Sequence, residues 1–126
     1  MKRGSMTNIK RAHRVAGLIM AEVSDILLKH IRDPRVKLVT ITRVKVTDDL
    51  RLAKIFFVEM GKDTCDPQAK TGLDSATGFF KRELGKRLQL RYIPDLMFMV
   101  DESFEYGSRI DRILAEIRRE EEMDVE

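Results

Sequence analysis

The stretch "LDSATGFFKRELGKRLQL", Leu73 to Leu90, decides how this chain is read. Leu73, Ala76, Phe80, Leu84 and Leu88 recur at three- and four-residue steps, the spacing of one helical face, with Arg82 and Lys86 behind it. Yet Gly78 stands well inside, at a cost of roughly 1 kcal/mol relative to alanine. Either a small residue is needed for close packing, or the helix bends at Gly78 and the bend forms part of a binding site. Phe79 favours the bend, because it falls off the apolar face of a straight helix and packs only after a kink.

Upstream, a long helix is expected over about Ile9 to Arg32. Ala12, Val15, Ile19, Val23, Ile26 and His30 fall on its apolar face, with Lys10, Arg14 and Arg32 opposite. Asp33-Pro34 stops it, since proline disfavours helical backbone in the residue before it. "KLVTITRVKV" and "RLAKIFFV" are rich in β-branched residues and flank the turn-forming Thr47-Asp48-Asp49, a hairpin pattern. The alternation slips in phase between Val39/Ile41 and Val44/Val46, which is explained either by a bulge near Arg43 or by apolar residues on both faces. Residues 59–69 read as a polar loop. Downstream of Ile93-Pro94, "DLMFMV" is a third strand, and Ser103 is placed to cap a last helix bearing Ile110, Ile113, Leu114 and Ile117. The order is α-β-β-α-β-α: one small sheet with helices packed against it, α+β in class.

The domain plan is a flexible N-terminus at 1–8, a folded domain at 9–118 and a flexible acidic tail at 119–126. The 126 residues suffice for one modest core. No apolar run approaches the roughly 20 residues of a membrane helix, and the chain shows no secretory signal. The lone Cys65, in the polar loop, fits a reducing, cytoplasmic setting.

Catalysis finds little support. His30 reads as a packed core histidine, and His13 extends a basic surface beside Lys10, Arg11 and Arg14. Two histidines and one cysteine without ligand spacing argue against a metal site, and no cofactor fingerprint is present. Asp48-Asp49 is explained by turn formation.

Charge is the more informative property. The net charge is +3, but residues 1–46 hold eleven Lys/Arg against three Asp/Glu. Such asymmetry points to a polyanionic partner. Lys10, Arg11, Arg14, Arg35, Lys37, Arg43, Lys45, Lys81, Arg82, Lys86 and Arg91 are the candidate phosphate contacts. With six Phe, two Tyr and no Trp, recognition of RNA shape and backbone fits better than reading of single bases.

Four stretches in order resemble the bacterial ribosome-binding factor A family: "RVAGLIMAEVSDILLKHIRDPR" (14–35), "VTITRVKVTDDLRLAKIFF" (39–57), "SATGFFKRELGKRLQLRYIPDLMFMVDES" (75–103) and "RIDRIL" (109–114). That resemblance implies a type II KH-like fold. Most KH domains clamp nucleic acid with a Gly-x-x-Gly loop. This family instead places an Ala-x-Gly kink between two helical halves, matched here by Ala76-Thr77-Gly78. Lys81 stands where the family often has arginine, and Pro94-Asp95 where Pro-Glu is usual. The family binds the free small (30S) ribosomal subunit late in its assembly, helps the 5′ region of 16S rRNA mature, matters in cold adaptation and works beside assembly GTPases. It is not an enzyme and takes no cofactor. A monomer without membrane contact is the corresponding expectation for this chain.

Overall fold

The computed structural model describes the backbone of residues 6–62 and 64–124, and their side chains except at 6–7, 104–110 and 123–124. Helix α1 spans Met6–His30 and buries Ala12, Val15, Ile19, Val23 and Ile26, the stripe that the periodicity predicts. It starts three residues before the expected Ile9 and ends two before Arg32. Residues 1–5 of the expected flexible N-terminus lie outside the described residues, while 6–8 already belong to α1. His30 departs from its expected burial. It lies exposed at the end of α1, its ring 6.5 Å from that of Phe79.

Asp33 is extended, as its place before proline requires, and its Oδ1 accepts from the Arg35 N–H at 2.9 Å to start a single 3₁₀ turn, Pro34–Val36. Strands β1 (Val39–Val46) and β2 (Leu52–Glu59) then form the antiparallel hairpin. At its turn, Asp49 Oδ1 accepts from the Thr47 hydroxyl at 2.7 Å and from the Arg51 N–H at 3.1 Å. The predicted bulge is present: Ile41 pairs with Phe57 and Arg43 with Phe56, leaving Thr42 as the extra residue.

Helix α2 (Pro67–Ser75) begins inside the stretch expected to be a loop. Asp66 caps it, accepting from the Gln68 N–H at 2.9 Å, and Pro67 occupies the first turn, where a missing N–H costs nothing. Helix α3 (Thr77–Arg87) follows after a break at Ala76, whose φ/ψ of −93°/1° leaves the helical region. The single bent helix is thus two helices, and the bend falls two residues before Gly78. Gly78 itself is exposed within α3, where a Cβ would meet only Arg82 Nη1, at 3.7 Å. Leu88, expected on the helix, is extended and ends it.

β3 (Asp95–Val100) pairs parallel to β2, so the sheet order is β1-β2-β3. The α2–α3 pair forms the crossover that a parallel pairing needs. Phe57, Phe80, Phe98, Ile19, Ile55, Leu73 and Leu84 fill the space between the sheet and α1–α3, each contributing about 1.5–3 kcal/mol by leaving water. The Phe80 and Phe98 rings meet at 5.2 Å, inclined at 50°.

Helix α4 (Glu102–Asp124) differs from expectation in three ways. Ser103 lies inside its first turn and donates to Asp101 Oδ1 at 2.7 Å rather than capping from outside. Its Ile113, Leu114 and Ile117 stay nearly half exposed instead of joining the core. The helix also continues through residues 119–124, where a flexible acidic tail is expected, because Glu and Arg are good helix formers. Residues 125–126 lie outside the described residues.

Candidate nucleic-acid interface

The fold distributes the eleven predicted cations over three regions. Lys10, Arg11 and Arg14 are exposed on the amino-terminal half of α1. His13 of α1 and Arg43, Lys45 and Asp48 of the hairpin line one groove of about 470 Å3 between the helix and the strand, and Lys10, Arg11 and Arg14 are not part of its lining. Arg35 and Lys37 sit beyond the other end of α1, on the order of 30 Å away at 1.5 Å per helical residue. Lys81, Arg82 and Lys86 lie on α3, with Arg91 just past it.

Their availability differs as much as their position. Among the described residues, Lys10, Arg11, Arg14, Lys37, Lys45, Arg82 and Arg91 make no ion pair. Arg35 is engaged: its guanidinium forks onto Asp33, Nη2 to Oδ2 at 2.6 Å, and holds that carboxyl below its ordinary value. Lys81 donates to Asp95 at 2.7 Å and lowers its pKa, and Lys86 reaches Glu83 at 3.2 Å. Arg43 lies 4.0 Å over the Phe56 ring and 3.5 Å from Asp101.

Arg87 shows why charge alone cannot rank such residues. It lies on the same helix as Lys86, yet its guanidinium reaches back to Glu22 Oε1 at 3.1 Å and Asp25 Oδ2 at 2.8 Å. It is a tie between α3 and α1, and hydrogen bonds from Arg87 and then Lys29 hold the Asp25 carboxyl below its ordinary value.

The Ala76-Thr77-Gly78 segment opens the amino terminus of α3. No side chain caps it; the Thr77 hydroxyl turns back to donate to Leu73 O at 3.3 Å. Gly78 is exposed in this first turn, with Arg82 one turn on, an arrangement suited to anions. Phe79 is partly buried against the core, so the break does bring it inward, as the kink reading requires.

Lys54 and Phe56 of β2 escape the charge-and-motif reading. Both project from the sheet face opposite the core, in register with Lys45 and Arg43. Alternation in "RLAKIFFV" was the available signal. Among the described residues no group of three or more His, Cys, Asp or Glu is placed to hold a metal, and no helix is long and apolar enough to cross a membrane.

Comparison with known proteins agrees with this architecture. A family model described as ribosome-binding factor A matches residues 11–114. The protein named ribosome-binding factor A from Syntrophus aciditrophicus (strain SB) is 62% identical over 119 residues, covering 94% of this chain and 97% of that one. The crystal structure of ribosome-binding factor A from Thermus thermophilus superposes with a TM-score of 0.64 over 71% of this chain and 93% of its own, at 18% identity, a likeness of fold. A homology model of the Thermus thermophilus ribosome-binding factor A, fitted into the cryo-EM map of a 30S complex, matches with a TM-score of 0.51 over 65% of this chain and 90% of its own, at 21% identity. The α+β architecture is accordingly consistent with the KH-like expectation. By the span of the family match and the identity to its relatives, the chain belongs to the ribosome-binding factor A family.

Proposed function

We propose that this protein binds the free small ribosomal subunit and assists late maturation of 16S rRNA, including its 5′ region, without catalysing a reaction. The observation that carries the reading is that Lys10, Arg11 and Arg14 of α1 and Lys45 of β1 are exposed and stand without carboxylate partners among the described residues. Cations left free in the unbound protein are available to displace counterions from phosphates. The fold relative fitted into a 30S complex supports the choice of RNA. By binding one arrangement of the subunit RNA more tightly than another, the protein shifts the population towards it. Lys10, Arg11, Arg14, Lys37, Lys45, Arg82 and Arg91 supply the first contacts. Arg35, Arg43, Lys81 and Lys86 join by sharing or exchanging their present carboxylates, and the kink at Ala76, Thr77 and Gly78 places the amino terminus of α3 on the same surface as Arg82. A cytoplasmic monomer acting beside assembly GTPases, with greatest demand in the cold, completes the proposal.

The test is co-sedimentation with free small subunits, complete ribosomes and an unrelated structured RNA over a salt series. Preference for the free subunit that survives at physiological salt is the expected result. Equal binding to all three, lost together as salt rises, would reduce the protein to a general polyanion binder.

A further inference from the structure

We infer that the open face of the sheet is a seat for one unpaired nucleotide, its base stacked on the outer side of the Arg43 guanidinium and its phosphate held between Lys45 and Lys54. This deepens the RNA-binding reading and rests on it for the identity of the larger ligand.

The bulge makes the seat. Ile41 points into the core, and in a regular strand Arg43, two residues on, would follow it inward. The additional residue Thr42 reverses the phase, so Arg43 and Lys45 emerge on the open face while Val44 and Val46 take the core positions. Arg43 then lies flat over Phe56, its guanidinium carbon 4.0 Å from the ring centroid. A buried carboxylate positions it. Asp101, with 4% exposure, stands 3.5 Å from Arg43 Nε while accepting from Thr42 Oγ1 at 2.6 Å and Ser103 Oγ at 2.7 Å. Despite these partners the Arg43 side chain remains 55% exposed. A planar cation backed by an aromatic ring, with its far side in water, is a surface on which an unpaired base stacks.

The neighbouring row supplies the anion site. Lys45 and Lys54 are direct cross-strand partners, a like-charge pairing that works against the folded state. Neither has a carboxylate partner among the described residues. A phosphate between them removes the repulsion. The two rows are one strand repeat apart, roughly 6.6 Å, a distance an extended nucleotide spans. Met97, in register with Lys54 and 44% exposed, offers apolar contact beside the lysines.

The experiment titrates the full chain into a short run of uridines carrying one 2-aminopurine, alone and annealed into a duplex. Its fluorescence reports stacking of that base. The expected result is quenching at saturation with the single strand. Quenching should be lost, and single-strand affinity should fall about tenfold, in both Arg43→Lys, which keeps the charge but not the plane, and Phe56→Leu, with duplex affinity unchanged. Lys54→Gln should keep the quenching and reduce the salt slope by about 1. Far-ultraviolet circular dichroism and thermal melting check folding, and Arg43→Lys carries the test if Phe56→Leu unfolds. No quenching in the wild type, or quenching unaffected by Arg43→Lys, overturns the seat. Co-sedimentation run in parallel separates the two readings. Subunit binding with quenching insensitive to Arg43 removes the seat alone; Arg43-dependent quenching without subunit binding removes the assembly reading alone.

Discussion

Gly72 of α2 faces Val36 so closely that a Cβ added to it would stand 2.8 Å from Val36 Cγ1 and 3.3 Å from Arg35 Cβ. The packing role first considered for Gly78 therefore belongs to Gly72, six residues earlier. Gly72→Ala should destabilise the fold by about 1–3 kcal/mol, as overpacking does. Gly78→Ala should be neutral or stabilising by about 0.4–1 kcal/mol, because its φ is not positive and the space is open. Urea unfolding of the two variants checks the contrast, and a larger loss at Gly78 would reverse the assignment. The same Gly78 variant, tested for subunit binding, asks whether the open backbone at the start of α3 contributes contacts.

Arg87 makes stability depend on acid pH. Hydrogen bonds from Arg87, and secondarily Lys29, depress the Asp25 carboxyl below 3.8 in the folded state. A depressed carboxyl contributes its stability above the ordinary value and loses it as pH falls through the folded value. Arg87→Leu should lower the melting temperature at neutral pH and flatten the decline below pH 3.8. Parallel acid limbs in variant and wild type would mean that the α3–α1 tie does not persist in solution.

Thr42→Val keeps the shape of the bulge residue but removes the 2.6 Å hydrogen bond to Asp101. The carboxylate is buried, so the loss should cost roughly 1–3 kcal/mol. Thr42→Ser, which retains the hydroxyl, should recover most of it. Denaturant midpoints of the pair decide whether the hydroxyl or the side-chain volume matters.

The cations should rank by their present engagement. Replacing Arg11 and Arg14 with alanine should reduce the salt slope of subunit binding by about 2, near 1 for each phosphate left without its cation. The same change at Lys81 and Lys86 should do less, since both already hold carboxylates. Equal slopes for the two double variants would place α3 on the interface as fully as α1.

Local chemistry made much of the fold legible in the sequence. The apolar stripe of α1, the Asp-rich hairpin turn, the phase slip at the bulge and the span of β3 all follow from spacing or from side chains that bond their own backbone. Errors gathered where distant parts decide the outcome. Asp66-Pro67 carries the signal of a helix start, but the polar residues around it favour a loop reading. His30 shares the α1 periodicity, yet the helix ends there and leaves it uncovered. In α4 the pattern is amphipathic, but Ile113, Leu114 and Ile117 are left half exposed. The basic residues were visible from composition; which of them hold carboxylates depends on Asp33, Glu83, Asp95 and Asp101, and so on tertiary neighbours.

Thr42 also sets a rule for how β1 can change over evolution. Residues before it place odd numbers inside, and residues after it place even numbers inside. Pairing Thr42 into the ladder without the bulge would send Arg43 and Lys45 towards the hydrophobic interior and Val44 and Val46 into water, whereas deleting Thr42 would restore one alternation that keeps each of them on its present face. A single residue inserted elsewhere in the strand would move the residues on one side of it to the wrong faces, so the length change that keeps both faces is removal of the bulge residue itself. The cationic surface and the core are thus written in two frames of one strand, and neither can drift along it without the other.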